Sequence, residues 1–181
     1  DAATRLMLSR VTIVAVPLVN PDGRDLIMNG GDPDQKSNAN GVDLNRAMPS
    51  VNAGQLAAGA HLAEEYADES GVAFFAGERL GTESETQAMI KWFNTYVPQA
   101  TAYIDLHQQG GVSFYDKPFA TSGTDEACLG FADAMNALLG GGYPPYGEKD
   151  DYALDGDGGT MTDYARSVSE GFVYSYRLGR M

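Results

Sequence analysis

The chain has 181 residues, 43% apolar and 20% charged, which is long enough for one domain with a substantial core and too apolar for disorder. A formal net charge of −13 argues against a nucleic acid or an anionic membrane as partner, because both select basic surfaces. The single cysteine, Cys128, excludes an internal disulfide, and no apolar run reaches the length of a membrane-spanning helix.

The chain opens Asp1-Ala2-Ala3-Thr4, without an initiator methionine or a visible signal peptide, as a processed or trimmed N-terminus would. Secretion is left open by that start. Residues 2–9 read as the end of a helix carrying Leu6 and Leu8. Residues 11–19 form a continuous β-branched run, which predicts a strand buried on both faces. Asn20-Pro21-Asp22-Gly23 stops it with turn-forming residues. Residues 24–40, rich in Gly, Asp and Asn, read as a long loop of the kind that carries function.

Residues 57–68 favour a helix through their alanines. Thr82 or Ser84 is expected to cap the next helix, which runs to Val97 with Met89, Ile90, Phe93, Tyr96 and Val97 on one face. Residues 102–106 predict a short buried strand. Thr124 is expected to cap a helix to Leu139, whose shared face of Cys128, Phe131, Ala132, Met135, Leu138 and Leu139 makes Cys128 a buried, inert thiol. Gly140-Gly141-Gly142 ends it and a loop runs to about Gly159. Residues 160–166 then read as a short helix and residues 171–176 as a last strand. Strands alternating with helices, with no internal repeat and no linker, imply one α/β domain or part of one, with a mostly parallel sheet.

Asn45-Arg46 follows Val42 and Leu44 at the mouth of a loop. An arginine fork presents parallel donors matched to a carboxylate, and an adjacent amide adds another. The alternative is an ion pair with a structural acid, in a chain holding 25 Asp and Glu. His107 closes a predicted strand at its carboxyl end, where open α/β sheets build sites, although a lone histidine is otherwise structural. His61 and Glu64 satisfy His-x-x-Glu and could share a helix face. Glu64 also begins an acidic stretch with Glu65, Asp68 and Glu69 that reads as a solvated face. Asp155-Gly156-Asp157-Gly158 lacks the remaining oxygen ligands of a calcium loop and reads as a turn.

Taken in order, Asn20-Pro21-Asp22-Gly23, Gly41-Val42-Asp43-Leu44-Asn45-Arg46 and Ile104-Asp105-Leu106-His107 resemble the zinc metallocarboxypeptidases, the carboxypeptidase A-like family. The resemblance spans about residues 11–178, the middle and C-terminal part of that family's domain. It implies a three-layer α/β/α sandwich with a mixed, mostly parallel sheet, incomplete at its N-terminal side. Residues 1–181 would be a single such domain lacking its N-terminal strands, with the His-x-x-Glu zinc pair upstream of Asp1. The implied activity is removal of the C-terminal residue from a peptide, with zinc as cofactor and His107 as the ligand retained here. Asn45 and Arg46 would hold the free C-terminal carboxylate of that peptide.

The same resemblance makes Asp43 an outer residue that orients a zinc-bound histidine. It places Lys36 near the arginine that polarises the scissile carbonyl, where lysine supplies charge without the planar fork; a solvated Lys36 is the other reading. Tyr152 would match the mobile tyrosine that covers the substrate, and Met161 the position that sets side-chain preference, here apolar. Gly81-Thr82-Glu83-Ser84-Glu85-Thr86-Gln87-Ala88 resembles the family's Ser-Glu-Pro-Glu-Thr helix start.

The family's general base is a glutamate on a late strand, in an apolar-x-apolar-Glu-Leu setting. Here the corresponding run is Tyr174-Ser175-Tyr176-Arg177-Leu178-Gly179, so the general-base position reads Arg177. Arginine accepts no proton at relevant pH, and its charge repels a zinc ion. Two readings result. The chain is either a portion of a zinc carboxypeptidase or a catalytically degenerate member that binds peptide C-terminal carboxylates without hydrolysis. A strand missing upstream would also leave a raw sheet edge, to be covered by a second chain or segment.

Overall fold

The computed structural model describes residues 2–49, 75–108, 112–116, 130, 133, 134, 137, 138, 159–170 and 172–178. In chain order they form helices α1 (Ala2–Leu8), α2 (Pro21–Met28) and α3 (Ser84–Tyr96), a 3-10 turn (Val97–Gln99), strands β1 (Ala102–Gln108) and β2 (Val112–Asp116), helix α4 (Met161–Val168) and strand β3 (Phe172–Leu178). The sheet among these residues is mixed, in the order β1-β3-β2. β1 and β3 run parallel, from Ala102 opposite Phe172 to Gln108 opposite Leu178, and α4 lies in the crossover between them. β2, which lies beyond the elements expected from the sequence, runs antiparallel to β3.

The core fills one face of β1. Val42, Leu44, Ala47 and Met48 enter it from a loop, Met89, Phe93 and Val97 from α3 and its end, Tyr103 from β1, and Met161 and Ala165 from α4. Phe93 is fully buried and meets Tyr103 edge-on, with ring centroids 5.4 Å apart. Burial, assisted by the charge of Asp105, pushes the Tyr103 hydroxyl far above its ordinary range, so it stays neutral. The opposite face of β1 carries Ile104 and Leu106, which are 41% and 65% exposed. The strand expected to be buried is thus buried on one face only, as its alternation allows.

Three local expectations are corrected. Asn20-Pro21-Asp22-Gly23 is the start of α2 rather than a turn. Asn20 is the N-cap, its Oδ1 accepting from the Gly23 N–H at 2.8 Å, and Pro21 takes a first-turn position where no N–H is missed. None of residues 11–19 is in a strand, and no described strand pairs with them. Ile13 is 70% exposed, while Val16 and Val19 lean on the core. β-branched side chains favour extended backbone, but a strand also needs a neighbour for its N–H and C=O groups. Neither Thr82 nor Ser84 caps α3: their hydroxyls donate to the Arg79 carbonyl and to Glu85, and Glu83 takes the N-cap position without capping.

Helix α4 follows expectation and extends it to Val168. The Thr160 hydroxyl accepts from the Asp163 N–H at 3.0 Å and donates to the Asp163 carboxylate at 2.6 Å, a reciprocal cap. The helix expected over residues 57–68, with His61 and Glu64, lies outside the described residues, as do Cys128, Tyr152 and the turn at 155–158. Of the helix expected over residues 124–139, positions 130, 133, 134, 137 and 138 are described; all are helical and exposed, including Leu138. Among the described residues, no helix is long and apolar enough to cross a membrane.

Candidate functional site

The site is built on the loop at residues 36–46. Its first part is a turn closed by Asn38, whose backbone N–H donates to the Val42 carbonyl at 2.9 Å. The Asn38 Oδ1 accepts from the N–H groups of Asn40 and Val42, each at 3.0 Å. Gly41 sits in that turn at φ +76, a conformation that side chains disfavour. Val42 and Leu44 then enter the core, and Asp43 between them is buried as well. The Asp43 N–H donates to the Phe75 carbonyl at 2.8 Å, its Oδ1 accepts from the Asn45 N–H at 3.0 Å, and the Arg46 N–H returns to the Asp43 carbonyl at 2.9 Å.

Asn45 and Arg46 are half-buried. The Asn45 Oδ1 accepts from the Met161 N–H at 2.9 Å, at the first residue of α4. That bond fixes the amide, and among the described residues Asn45 Nδ2 meets no acceptor. Arg46 donates from Nη1 to the Asn45 carbonyl at 2.9 Å, which holds its guanidinium against the same loop.

Asp43 reports the field at this point. Burial pushes its carboxyl above the ordinary carboxylate range, and this is offset in part by Arg46, by the Asn45 N–H, by Lys36 and by His107. The hydrogen bonds among these residues join Asn45 to Asp43, Arg46 and Met161, and His107 to Asp105. Lys36 is exposed, and its carbonyl accepts from Asn20 Nδ2 at 3.3 Å. Asp43 makes its described hydrogen bond to the loop and none to a histidine.

His107, on the core-facing side of β1, is half-buried, and its Nε2 lies 3.0 Å from Asp105 Oδ2. The same Asp105 oxygen accepts from Thr162 Oγ1 at 3.3 Å. Met161 and Thr162, consecutive at the start of α4, thus tie the Asn45 loop to the His107–Asp105 pair. Asp105 and Thr162 were not anticipated from the sequence. The signal for Asp105 was its spacing, since residues two apart on a strand share a face.

Arg177 is the register partner of His107 on β3, and of Val112 on β2. The backbone therefore sets the residue read at the general-base position beside the histidine. Tyr152 lies outside the described residues.

A catalytic zinc ion takes three protein ligands and keeps one open position. Here His107 supplies one ring nitrogen, and its carboxylate neighbour is committed to the other. No group of three or more His, Cys, Asp and Glu side chains that could hold a metal ion occurs among the described residues. These residues do not by themselves make up a zinc site.

The comparison with known families returns one described as zinc carboxypeptidase, matching residues 1–181. A search among curated proteins finds no match. With the Asn-Arg loop, the histidine at the end of β1 and the whole-length match in agreement, the chain belongs to the zinc carboxypeptidase family.

Proposed function

We propose that this family member recognises peptides by their free C-terminal carboxylate, through Asn45 Nδ2 and the guanidinium of Arg46. The observation that carries this reading is the bond from the Met161 N–H to Asn45 Oδ1. By engaging the acceptor end of the amide, it presents the donor end beside an arginine. Two charge-assisted donors on adjacent residues match the two oxygens of a carboxylate. The charges of Lys36 and His107 also act on the Asp43 carboxyl of this loop. Met161, the position expected to set side-chain preference, is 6% exposed and its side chain belongs to the core.

Within this reading the family's reaction, release of the C-terminal residue, requires a base as well as a metal. Arg177 in register with His107 favours a second reading, binding of the carboxylate without hydrolysis. The mixed sheet with α4 in the crossover between two parallel strands is in keeping with the three-layer α/β/α arrangement proposed for the domain. The exposed apolar Val11, Ile13 and Val14, and an edge of β1 that no described strand pairs, support a further segment or second chain completing the sheet.

The test is equilibrium binding of a short peptide ending in leucine to the wild type and to Arg46→Ala, with mass spectrometry of the peptide after incubation with zinc. Binding that falls at least ten-fold in the variant, roughly the loss of one charge-assisted bond, supports carboxylate recognition. Equal affinity in the two proteins overturns it. Loss of the terminal leucine from the peptide selects hydrolysis over the binding-only reading.

A further inference from the structure

Asn38 is a fully buried amide, 2% exposed, and every hydrogen-bonding function of its side chain is occupied. Its Oδ1 accepts two backbone N–H groups of its own turn, from Asn40 and Val42. Its Nδ2 donates to Glu83 Oε2 at 2.7 Å and to Glu85 Oε1 at 3.1 Å, on the far side of the sequence. Glu83 Oε2 also accepts from Asn40 Nδ2 at 2.9 Å. One carboxylate thus grips both asparagines of the turn. Glu83 stands at the N-cap of α3 and makes no capping bond there. Its carboxylate serves the loop instead of the helix.

The start of the loop is held separately. Asn20 Nδ2 donates to the Lys36 and Ser37 carbonyls at 3.3 and 3.1 Å. The Asn-Pro-Asp-Gly and Thr-Glu-Ser-Glu-Thr segments, neither of which carries a reacting group, therefore meet at the loop that presents Asn45 and Arg46.

Val42 both donates to the Asn38 side chain and accepts from the Asn38 backbone. The chain then turns: the Arg46 N–H donates to the Asp43 carbonyl and the Ala47 N–H to the Leu44 carbonyl, with Val42 and Leu44 buried in the core. Asn38 therefore anchors the start of the turn that carries Asn45 and Arg46.

We infer that Asn38 and Glu83 are positioning residues for carboxylate recognition: they anchor the turn at residues 42–46 so that Asn45 and Arg46 face the ligand. This rests on the reading of Asn45 and Arg46 given above. The network is charge-assisted on the α3 side. The Glu85 carboxyl, although raised by desolvation, is held below its ordinary range by bonds from Ser84, its own N–H and Asn38.

The experiment compares the affinity of one peptide as a free acid and as its C-terminal amide, for wild type, Arg46→Ala, Glu83→Ala, Glu83→Gln and Asn38→Asp, with a thermal melt of each protein. Gln keeps an acceptor oxygen for Asn38 and Asn40, whereas Ala keeps none. Asp at position 38 loses both donors and places a third carboxylate against Glu83 and Glu85. The expected result is that Glu83→Ala and Asn38→Asp lose at least about ten-fold of the acid-over-amide preference, while Glu83→Gln stays within about three-fold of wild type. A purely structural role would move the melts of these variants and leave the acid-over-amide ratio of the folded protein unchanged.

A wild-type ratio in folded Glu83→Ala overturns the inference, even if Asn38→Asp does not fold. Equal losses in Glu83→Gln and Glu83→Ala also overturn it. A wild type that shows no acid preference, matched by Arg46→Ala, overturns the carboxylate reading itself. A preference abolished by Arg46→Ala but untouched by Glu83→Ala leaves that reading standing and removes only this inference.

Discussion

Under the proposed function Asn45 joins folding to recognition through the two ends of one amide, so two substitutions there should separate them. In Asn45→Ala the Met161 N–H, on a residue only 6% exposed, loses the acceptor it has at 2.9 Å. An unsatisfied buried N–H costs about 1–3 kcal/mol. The same substitution deletes the Nδ2 donor, a bond to a charged ligand worth about 1.5–3 kcal/mol, or about 10- to 150-fold in affinity. Asn45→Asp keeps an oxygen at the Oδ1 position and deletes only the donor. Its negative charge lies at the N-terminus of α4, where a helix favours it by about 0.3–1 kcal/mol, against repulsion from Asp43 of similar size. Asn45→Asp is therefore expected to unfold within about 1 kcal/mol of wild type, and Asn45→Ala about 1–3 kcal/mol below it. Both lose affinity for the free-acid peptide, and Asn45→Asp loses more because two carboxylates then face each other. Urea unfolding followed by circular dichroism gives the first comparison, and titration calorimetry the second. The reasoning fails if Asn45→Ala is as stable as Asn45→Asp, or if Asn45→Asp binds the peptide as wild type does.

Further outcomes follow from other parts of the structure. Burial raises the Asp43 carboxyl in the folded chain, so the folded state holds that proton more tightly than the unfolded state does. The associated stability is present below the unfolded pKa, near 4, and is lost as pH rises through the folded value. Asn at position 43 keeps the Oδ1 acceptor for Asn45, so Asp43→Asn should gain on wild type as pH rises from about 4 to neutrality; a gap that does not change with pH contradicts this. Phe93→Ala empties a fully buried ring site that touches Trp92, Tyr103 and Tyr164, and should cost about 3–5 kcal/mol in denaturant unfolding. A Cβ on Gly23 would lie 2.3 Å from Asn20 Nδ2 and 2.6 Å from the Ser37 carbonyl. Gly23→Ala should therefore displace Asn20 from the loop and weaken peptide binding as well as stability, and unchanged binding would separate the α2 cap from the site.

How far the sequence could be read depended on the range of each interaction. Asn45, Arg46 and His107 stand out because the donors they carry sit in short motifs whose order along the chain is specific. The face of α3 was legible from its period for Met89, Phe93 and Val97, while Tyr96, expected on it, is exposed, and Thr160, expected inside the last helix, is its cap. The pairing of Asn38 with Glu83 was not, because it spans two segments that meet only after folding, and each glutamate alone looks like an ordinary helix-start acid. Residues 11–19 were misjudged for a related reason: β-branched residues set an extended backbone but say nothing about which strand lies alongside. Asn-Pro-Asp-Gly combines turn residues with a helix cap, and the cap prevailed because Asn20 could bond both Gly23 and the loop carbonyls. The link from Thr162 to Asp105 depends on how α4 packs at the end of β1, and no local pattern encodes that.

The central claim is that this chain reads a free peptide carboxylate at Asn45 and Arg46. The most direct measurement is the affinity of the wild-type protein for one short peptide ending in leucine, taken as the free acid and as the C-terminal amide at the same ionic strength. The account predicts at least about ten-fold tighter binding of the acid. Equal affinity for the two forms would contradict it.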